Sequence, residues 1–251
     1  MFIVPRPTES DIRAYFTRPI LQTGDPTGAR MLTARGAICQ RAARTLRAWK
    51  AHGRILDVGC GSGLFLVRFM LPGGGWEGSG VELTESLAEA TASKGVRVYT
   101  GSPSGADLPK DYFDAVTVLD SFYYFLEPEA ELKAVRRSLK SDGILLLELP
   151  LGRVRALRMR RIGRRLAGTE TSSQPVDAIL YNPACLARLL QRADLECLAV
   201  YPCPGDGQEN RLRQAAFSLW FWAAHGLWRM SFKRLLLSPR FLLLARPAAQ
   251  L

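Results

Sequence analysis

The sequence predicts an α/β fold in which a largely parallel sheet is covered by helices on both faces. Between about residues 54 and 150, short apolar segments alternate with amphipathic helical ones, a pattern typical of right-handed strand–helix–strand crossovers. The chain has 251 residues, of which 47% are hydrophobic and 23% are charged. This composition fits one globular domain and excludes a disordered, collagen-like or disulfide-rich protein.

Each element is predicted from its apolar periodicity and from the residues that end it. Short apolar runs bounded by Gly or polar residues predict strands over 54–58, 78–83, 96–100, 115–120 and 143–149. Apolar residues at helical spacing predict helices over 63–71, 84–93 and 128–139. Thr84 is the predicted N-cap of the second of these helices, with Glu85 in its first turn. The same criteria predict helices over 9–17, 28–51 and 183–192 and strands over 195–201 and 240–246.

The excess positive charge is confined to two segments. The chain has 34 Lys and Arg against 23 Asp and Glu, a net charge of +11. Residues 151–168 hold seven arginines and no acid, residues 211–251 hold seven bases and no acid, and the rest of the chain is slightly acidic. Both segments are expected at the carboxyl edge of the sheet, where an acidic substrate, an acidic carrier or an anionic membrane surface would match them. A solvated helix face is the alternative, and nucleic acid fits less well because 151–168 has no aromatic residues.

A second unusual segment is rich in tryptophan. Residues 215–228, AAFSLWFWAAHGLW, are apolar on nearly all sides and contain three of the five tryptophans. The segment is too short to cross a bilayer, which takes about 20 residues. With basic residues on either side, it fits a helix that lies in a membrane interface or a lid over an apolar substrate. A helix buried against the domain or in a homodimer contact is the alternative.

The cysteines and the N-terminus predict a cytoplasmic protein without a metal site. Five cysteines, none in a CxxC pair, indicate reduced thiols and no zinc or redox motif. The N-terminal residues include prolines and acids where a signal peptide needs a long apolar run. The protein is therefore expected in the cytoplasm, with peripheral attachment to a membrane as a further option.

The strongest motif is ILDVGCGSGL, in which a strand runs into a Gly-rich turn and a helix. Gly59, Gly61 and Gly63 let the backbone turn tightly and let a ligand approach the amides at the helix start. A dinucleotide fingerprint would have a third Gly where Leu64 stands, and Asp57 would repel a pyrophosphate. An aminoacyl ligand that carries an ammonium group would tolerate Asp57.

An acid on the next strand narrows the choice of ligand. Glu82 ends that strand, where a carboxylate can accept hydrogen bonds from two ribose hydroxyls. Asp57, the turn and Glu82 together point to S-adenosylmethionine. A P-loop is excluded because no Gly-Lys-Ser/Thr sequence follows the turn.

The segment 54–150 resembles the class I S-adenosylmethionine-dependent methyltransferase family, in particular members that act on small molecules such as quinones and natural products. ILDVGCGSG resembles the first motif of the family, GVEL its ribose-binding acid, and LKSDGILLLELP its fifth strand. The resemblance implies a three-layer, Rossmann-like fold with a seven-stranded sheet whose last strand is antiparallel. It also implies S-adenosylmethionine as cofactor, S-adenosylhomocysteine as its product, and a role in biosynthesis such as secondary metabolism.

On this basis the chain is expected to form one methyltransferase domain, 1–251. Its expected parts are an N-terminal helical cap (1–53), a cofactor-binding core (54–150), a basic connection (151–182) and a Trp-rich basic insertion that forms a helical lid (205–237).

The motif, the strand ends and the resemblance together assign a set of site residues. Those expected to bind the cofactor are Asp57, Gly59, Cys60, Gly61, Gly63, Glu82, Leu83, Ser102 and Asp120. Cys60 is expected to serve as a small residue in the turn, and Asp120 to cap the strand end or to form a wall of the pocket. Two positions depart from the family pattern: Gly101-Ser102 replaces a common Gly-Asp, and Tyr124 replaces a common His.

Two residues, His225 and Tyr124, are candidates for a general base. His225 is expected after the sixth strand, on the reaction side of the sheet, whereas His52 precedes the first strand at the amino edge. Tyr123 and Tyr15 are further polar groups expected in the pocket. The segments expected to close over the methyl group as a mostly apolar cavity are the residues around Tyr15, the connection 151–182 and the insertion 205–237.

The expected function is methyl transfer to a small, largely apolar acceptor that is anionic, carrier-bound or dissolved in a membrane, with O- or C-methylation favoured. A non-catalytic module that binds the cofactor or docks at a membrane is the alternative, and an RNA methyltransferase is a weaker one. A homodimer is also considered.

Overall fold

The fold is a seven-stranded sheet between two layers of helices. The computed structural model describes residues 8–17, 29–150, 181, 183–203, 211–231, 238 and 240–249. The strands are β1 (Gly53–Val58), β2 (Trp76–Glu82), β3 (Arg97–Thr100), β4 (Phe113–Leu119), β5 (Leu139–Pro150), β6 (Leu195–Cys203) and β7 (Arg240–Pro247). They pair in the order β3-β2-β1-β4-β5-β7-β6.

The topology places a ligand site at the carboxyl ends of β1 and β4. Strands β1 to β5 pair in parallel, and β7 runs antiparallel between β5 and β6. The predicted Rossmann-like sheet with an antiparallel last strand is therefore confirmed. The chain moves outward from β1 through β2 to β3 and then returns to the other side of β1 as β4. Such a reversal opens a crevice outside the carboxyl ends of the two central strands.

The helices cover the two faces of this sheet. They are α1 (Glu9–Phe16), α2 (Ala29–Trp49), α3 (Glu85–Ala92), α4 (Pro128–Ser138), α5 (Pro183–Arg192) and α6 (Arg211–Met230). Because successive strand residues point to opposite faces, the apolar strand segments supply two cores at once. One core joins α2 to the sheet and includes Leu46, Ile55 and Leu146, and the other joins α4 and α5 to it and includes Leu56 and Leu132.

Three local features differ from the sequence predictions. The helix expected over 63–71 is completed by a wide helical turn, Leu66–Met70, in which the Leu71 amide donates to the Leu66 carbonyl at 2.8 Å. Thr84 stands at the N-cap of α3, but its side chain makes no capping hydrogen bond. β5 begins at Leu139, four residues before the strand predicted over 143–149.

An aspartate ties four segments together at the amino edge of the sheet. Asp114, at the start of β4, accepts hydrogen bonds from Lys50 Nζ (2.6 Å), Lys140 Nζ (2.8 Å) and the Arg54 amide (2.8 Å). Burial opposes its ionisation, but these three donors hold the pKa of Asp114 down at about 2. This cluster joins the ends of α2, β1, β4 and β5, and it leaves the opposite edge of the sheet for ligands.

The two segments that carry the excess positive charge are described to different extents. Residues 151–180 and 182, almost all of the predicted basic connection, lie outside the described residues. The insertion is described from 211 to 231 and forms α6, which packs against the edge strand β6. In the described part of the chain, no helix has both the length and the apolar character that a bilayer crossing needs.

Candidate functional site

The Gly-rich turn after β1 is shaped by close packing on one side and open space on the other. Gly59 has φ +72°, and a Cβ there would lie 2.6 Å from the Ser121 side chain. Gly61 has φ +54°, and no atom of the described residues lies within 4 Å of the Cβ position. Both backbone conformations favour glycine. The turn therefore packs through Gly59 against Ser121, just after β4, and leaves space among the described residues beside the Gly61 backbone.

Glu82 is held by the backbone beside this open space. Its Oε2 accepts a hydrogen bond from the Gly61 amide at 2.8 Å, and its Oε1 accepts one from the Thr84 amide at 2.9 Å. The side chain is buried at the end of β2. Each carboxylate oxygen has a further lone pair, so this fixed acid can also accept hydrogen bonds from a ligand.

The turn also forms hydrogen bonds with residues of and after α3 and packs against β2. Thr91 Oγ1 donates to the Gly61 carbonyl at 2.7 Å, and Lys94 Nζ donates to the Ser62 carbonyl at 2.6 Å. The Cys60 side chain packs against Gly80 of β2, where a Cβ would lie 2.5 Å from the sulfur. Burial raises the pKa of the Cys60 thiol well above its usual range, so Cys60 is a neutral packing residue in the turn.

Asp57 lies at the end of β1, with its side chain buried. Its Oδ1 accepts a hydrogen bond from Thr117 Oγ1 at 2.7 Å. Burial raises the pKa of Asp57 to about 7, Thr117 lowers it, and the nearby charge of Glu82 raises it. A cation placed beside this carboxyl would favour its ionised form.

The segment after β3 forms the side of the site next to Glu82. The Gly101 amide donates to the Glu82 carbonyl at 2.8 Å, and the Ser102 hydroxyl accepts from the Gly105 amide at 3.2 Å. The buried Glu131 of α4 accepts from the Ser104 amide at 2.7 Å and holds this segment in place. Ser102 is therefore positioned beside the acid that ends β2.

Asp120, just after β4, belongs to a buried ionic network. Its carboxylate accepts hydrogen bonds from Arg240 and from Tyr123 Oη (2.7 Å), and it pairs with Arg35 at 2.8 Å. Arg240 also pairs with Glu148, a fully buried residue of β5. Burial opposes the ionisation of Asp120, but the charges of Arg240 and Arg35 bring its pKa down to about 2. We call Asp120, Glu148, Arg240 and Arg35 the ionic network.

The N-terminal helix α1 spans the carboxyl edge above these residues. At one end of the edge, Arg13 donates to the carbonyl of Leu83, directly after β2. At the other, the Phe16 ring meets the Tyr124 ring edge to face, with centroids 5.3 Å apart. The helix therefore bridges the segments that follow β2 and β4. Tyr15 lies in α1 between the residues that make these two contacts.

His225 lies on α6. Its ring neighbours are Phe221, Trp222 and Trp228 of its own helix α6, and Trp228 contacts Tyr201 of the edge strand β6. Burial lowers the pKa of His225, and Nδ1 has no hydrogen-bond partner among the described residues. In the sheet order β6 is four strands from β1, or about 19 Å at the usual strand spacing. The contacts of α6 with β6 therefore do not by themselves place His225 beside Gly59 or Asp120.

The sequence analysis missed several residues that build this site. They are Arg13, Arg35, Glu131, Glu148 and Arg240. For two of them, the sequence contains a signal that could have predicted the pairing. Glu148 and Arg240 are charged residues in largely apolar strand segments, and a charge on a strand that is covered on both faces needs a partner. Arg13, Arg35 and Glu131 lie on amphipathic helices, where a charged residue does not reveal its partner.

A groove of about 810 Å³ lies at the opposite edge of the sheet and is not part of this site. Residues from the starts of β4 and β5 line it, among them Asp111 and Gly143, together with Arg246 and Pro247 at the end of β7. These positions mark the amino ends of the parallel strands, away from the Gly-rich turn.

Comparisons with known proteins agree with the geometry. Residues 32–200, about two thirds of the chain, match the family model described as a methyltransferase domain. A comparison with curated protein sequences found no match.

Solved structures share the fold at low sequence identity. The (4+2)-cyclase SpnF aligns with a TM-score of 0.64 and 18% identity over 98% of this chain and 99% of its own. A possible histamine N-methyltransferase from Thermotoga maritima aligns with a TM-score of 0.61 and 16% identity over 94% and 99%. Magnesium protoporphyrin IX methyltransferase from Synechocystis, solved with bound SAH, aligns with a TM-score of 0.60 and 16% identity over 96% and 99%. With the family model spanning most of the sheet, the chain belongs to the methyltransferase-domain family and is an S-adenosylmethionine-dependent methyltransferase.

Proposed function

We propose that the protein transfers the methyl group of S-adenosylmethionine to a small, largely apolar acceptor, with O- or C-methylation favoured. The observation that carries this proposal is the contact between Phe16 and Tyr124, which places an aromatic wall across the carboxyl edge beside the Gly-rich turn. The Tyr124 ring also contacts the Tyr123 ring, with centroids 4.5 Å apart, and both Tyr123 and Phe122 are buried. Acceptors with apolar surface fit such a wall.

The residues at the turn fit the cofactor. The open space at Gly61 admits a ligand against the backbone, and the immobilised Glu82 supplies acceptor oxygens of the kind that ribose hydroxyls require. Asp57 would favour the ammonium of the aminoacyl end, while Leu83 and Ser102 would flank the adenosine. When bound, the cofactor supplies an electrophilic methyl group on sulfur.

Electrostatics on the acceptor side suit an anionic molecule. Asp120 is compensated by Arg240 and Arg35 together, so it presents little net negative charge to the crevice. Arg35 keeps 42% of its side chain exposed beside Asp120. An acceptor that carries a carboxylate or phenolate would gain from this guanidinium. For a displacement in line with the methyl group, the protein mainly has to orient the acceptor and exclude water.

Tyr124 is the residue that we propose beside the acceptor. It follows β4, is half-buried, and lies under α1. Its phenol can donate to or accept from an acceptor oxygen, whereas its ring completes the apolar wall. His225, the other candidate for a base, has its described contacts on α6 and is not included in this proposal.

Two variants at Tyr124 should separate these roles. Methyl transfer from S-adenosylmethionine to a panel of phenols, quinols and fatty carboxylates is followed by mass spectrometry of the product. If Tyr124 serves as a wall, Tyr124→Phe should keep kcat within about twofold, whereas Tyr124→Ala should raise KM by about tenfold through lost apolar contact. If Tyr124 handles the proton, both variants should lower kcat by about 100-fold or more. Absence of any methylated product from the panel, despite tight cofactor binding, would contradict the proposed acceptor class.

Cofactor affinity should rise with pH through the titration of Asp57. The folded pKa of Asp57 is about 7, so near pH 6 most molecules carry the neutral acid, and binding an ammonium must release that proton. Since an α-amino group stays largely protonated up to about pH 7.5, affinity for S-adenosylhomocysteine should increase by roughly five- to tenfold from pH 6 to 7.5. Calorimetry in two buffers of different ionisation enthalpy measures the proton release directly.

Asp57→Asn is the matched control for this pH dependence. An asparagine oxygen can still accept from Thr117, so the variant keeps the buried hydrogen bond but loses both the negative charge and the titration. Its affinity should be lower than that of the ionised wild type and should not rise over the same pH range. Equal slopes in the two proteins would contradict a role for Asp57 at the ammonium.

The second candidate, a non-catalytic protein that keeps the cofactor site, comes from the sequence alone. The structural neighbour SpnF is itself an enzyme, a cyclase, and gives this candidate no support. Cofactor binding without turnover on any acceptor would favour this candidate, and formation of a methylated product would exclude it.

A further inference from the structure

One face of α6 carries a row of exposed apolar side chains. Trp222, Leu227 and Met230 lie 3, 8 and 11 residues after Leu219. This spacing places the four residues on the same side of a helix. Leu219, Trp222 and Met230 have exposed fractions of 72%, 68% and 71%. The exposed Ala223 lies within the same row. A contiguous apolar surface of this kind marks a binding surface.

The other side of α6 is anchored to the domain. Ala224 and Trp228 are buried, and the Trp228 ring lies 5.8 Å from the Tyr201 ring of β6. The helix is therefore held along one side, and its exposed row faces away from the sheet.

The charged residues in the segment that contains this row are all basic. Arg229 is exposed next to Met230, and the sequence places Arg211, Arg213, Lys233 and Arg234 before and after the exposed row. Residues 211–251 contain no acid, while the chain outside its two basic segments is slightly acidic. A partner for this surface should be apolar in part and negatively charged.

We propose that α6 docks the protein on an anionic phospholipid surface. The docking face consists of Leu219, Trp222, Ala223, Leu227 and Met230, with Arg229 at its edge. Trp and aliphatic side chains enter the boundary between headgroups and acyl chains, and nearby bases are attracted to anionic headgroups. A second copy of the chain fits less well, because pairing two such faces would bring together two basic segments without acids. This docking proposal does not depend on methyl transfer. A further role of docking, the delivery of a membrane-dissolved acceptor to the site, rests on the proposed function.

Vesicle sedimentation tests this proposal with the full-length protein. The wild type should bind phosphatidylcholine vesicles that contain 30% phosphatidylserine, bind pure phosphatidylcholine at least several-fold more weakly, and lose binding as salt is added. The triple variant Leu219→Ser/Trp222→Ser/Met230→Ser should partition about tenfold or more weakly to the anionic vesicles. Arg229→Glu should weaken binding to the anionic vesicles and leave the weak binding to neutral vesicles unchanged.

Three further proteins serve as controls. Leu198→Ser removes an exposed leucine (45%) from β6, outside the docking face, and should bind like the wild type. Glu82→Ala should lose cofactor affinity but keep vesicle binding, and the triple variant should keep cofactor affinity. Brominated lipids should quench wild-type fluorescence, and Trp222→Phe should bind normally but lose most of this quenching.

Three outcomes would overturn the proposal. They are the absence of binding to anionic vesicles, equal binding to neutral and anionic vesicles, and equal binding of the wild type and the triple variant. A dimer in light scattering that the triple variant abolishes would assign the face to a second copy of the chain instead.

Discussion

Replacing Arg240 with methionine should lower the free energy of unfolding by about 3–5 kcal/mol. The guanidinium is buried and pairs with both Asp120 and the fully buried Glu148. Asp120 keeps Arg35 and Tyr123 as partners, whereas Glu148 would lose its ion pair with the buried guanidinium of Arg240. Breaking a buried ion pair on one side has this large cost because the desolvation of the remaining charge is no longer offset. Chemical denaturation at pH 7 measures the loss.

A double variant and a control distinguish this cause from lost packing. Arg240→Met with Glu148→Met removes both buried charges and should recover most of the stability, to within about 1–2 kcal/mol of the wild type. Arg246→Met, on the same strand, breaks an exposed pair with Glu196 and should cost less than about 1 kcal/mol. If Arg240→Met costs no more than Arg246→Met, the ionic network does not stabilise the fold as we argue.

Replacing Glu82 with alanine should weaken binding of S-adenosylhomocysteine by about 5- to 150-fold, or about 1–3 kcal/mol. Two effects act together: ribose hydroxyls lose their acceptor, and the Gly61 and Thr84 amides lose the carboxylate that fixes the turn beside the ligand. The loss should appear in calorimetric titrations with both S-adenosylmethionine and S-adenosylhomocysteine, since both carry the ribose.

Glu77→Ala is the matched control, because Glu77 lies on the same strand but is exposed, with Arg54 Nε 3.2 Å from its Oε2. Its cofactor affinity should equal that of the wild type. Unchanged affinity in Glu82→Ala would remove Glu82 from the cofactor site, and binding of NAD as tightly as S-adenosylhomocysteine would contradict the assignment of the ligand.

Local patterns were enough to predict the sheet and the Gly-rich turn after β1. The strand, the Gly-rich turn and Glu82 lie within 30 residues of one another, and their conformations depend on nearby sequence: glycines where φ is positive, and an acid at a strand end. The antiparallel last strand came from family resemblance instead of the residues, since nothing in the apolar pattern of 240–246 distinguishes a parallel neighbour from an antiparallel one.

Long-range pairing explains what could not be predicted. Arg240 meets Asp120 and Glu148 only because β7 enters the sheet beside β5, and Arg35 reaches Asp120 only through the angle at which α2 crosses the sheet. The place of His225 relative to the reaction side depends on long-range packing in the same way. Its place after the sixth strand was compatible with the reaction side, but its helix packs on the edge strand through Trp228.

The order of β7 in the sheet has a consequence for synthesis on the ribosome. β7 follows the other six strands along the chain, yet it lies between β5 and β6. The sheet therefore cannot close until residue 247 has been translated, and until then the apolar strand β5 has one unpaired edge. Such an edge is a template for pairing with another chain, and the ion pair between Glu148 on it and Arg240 cannot form until β7 has been made. The nascent chain is thus most exposed to misassembly just before its final strand arrives.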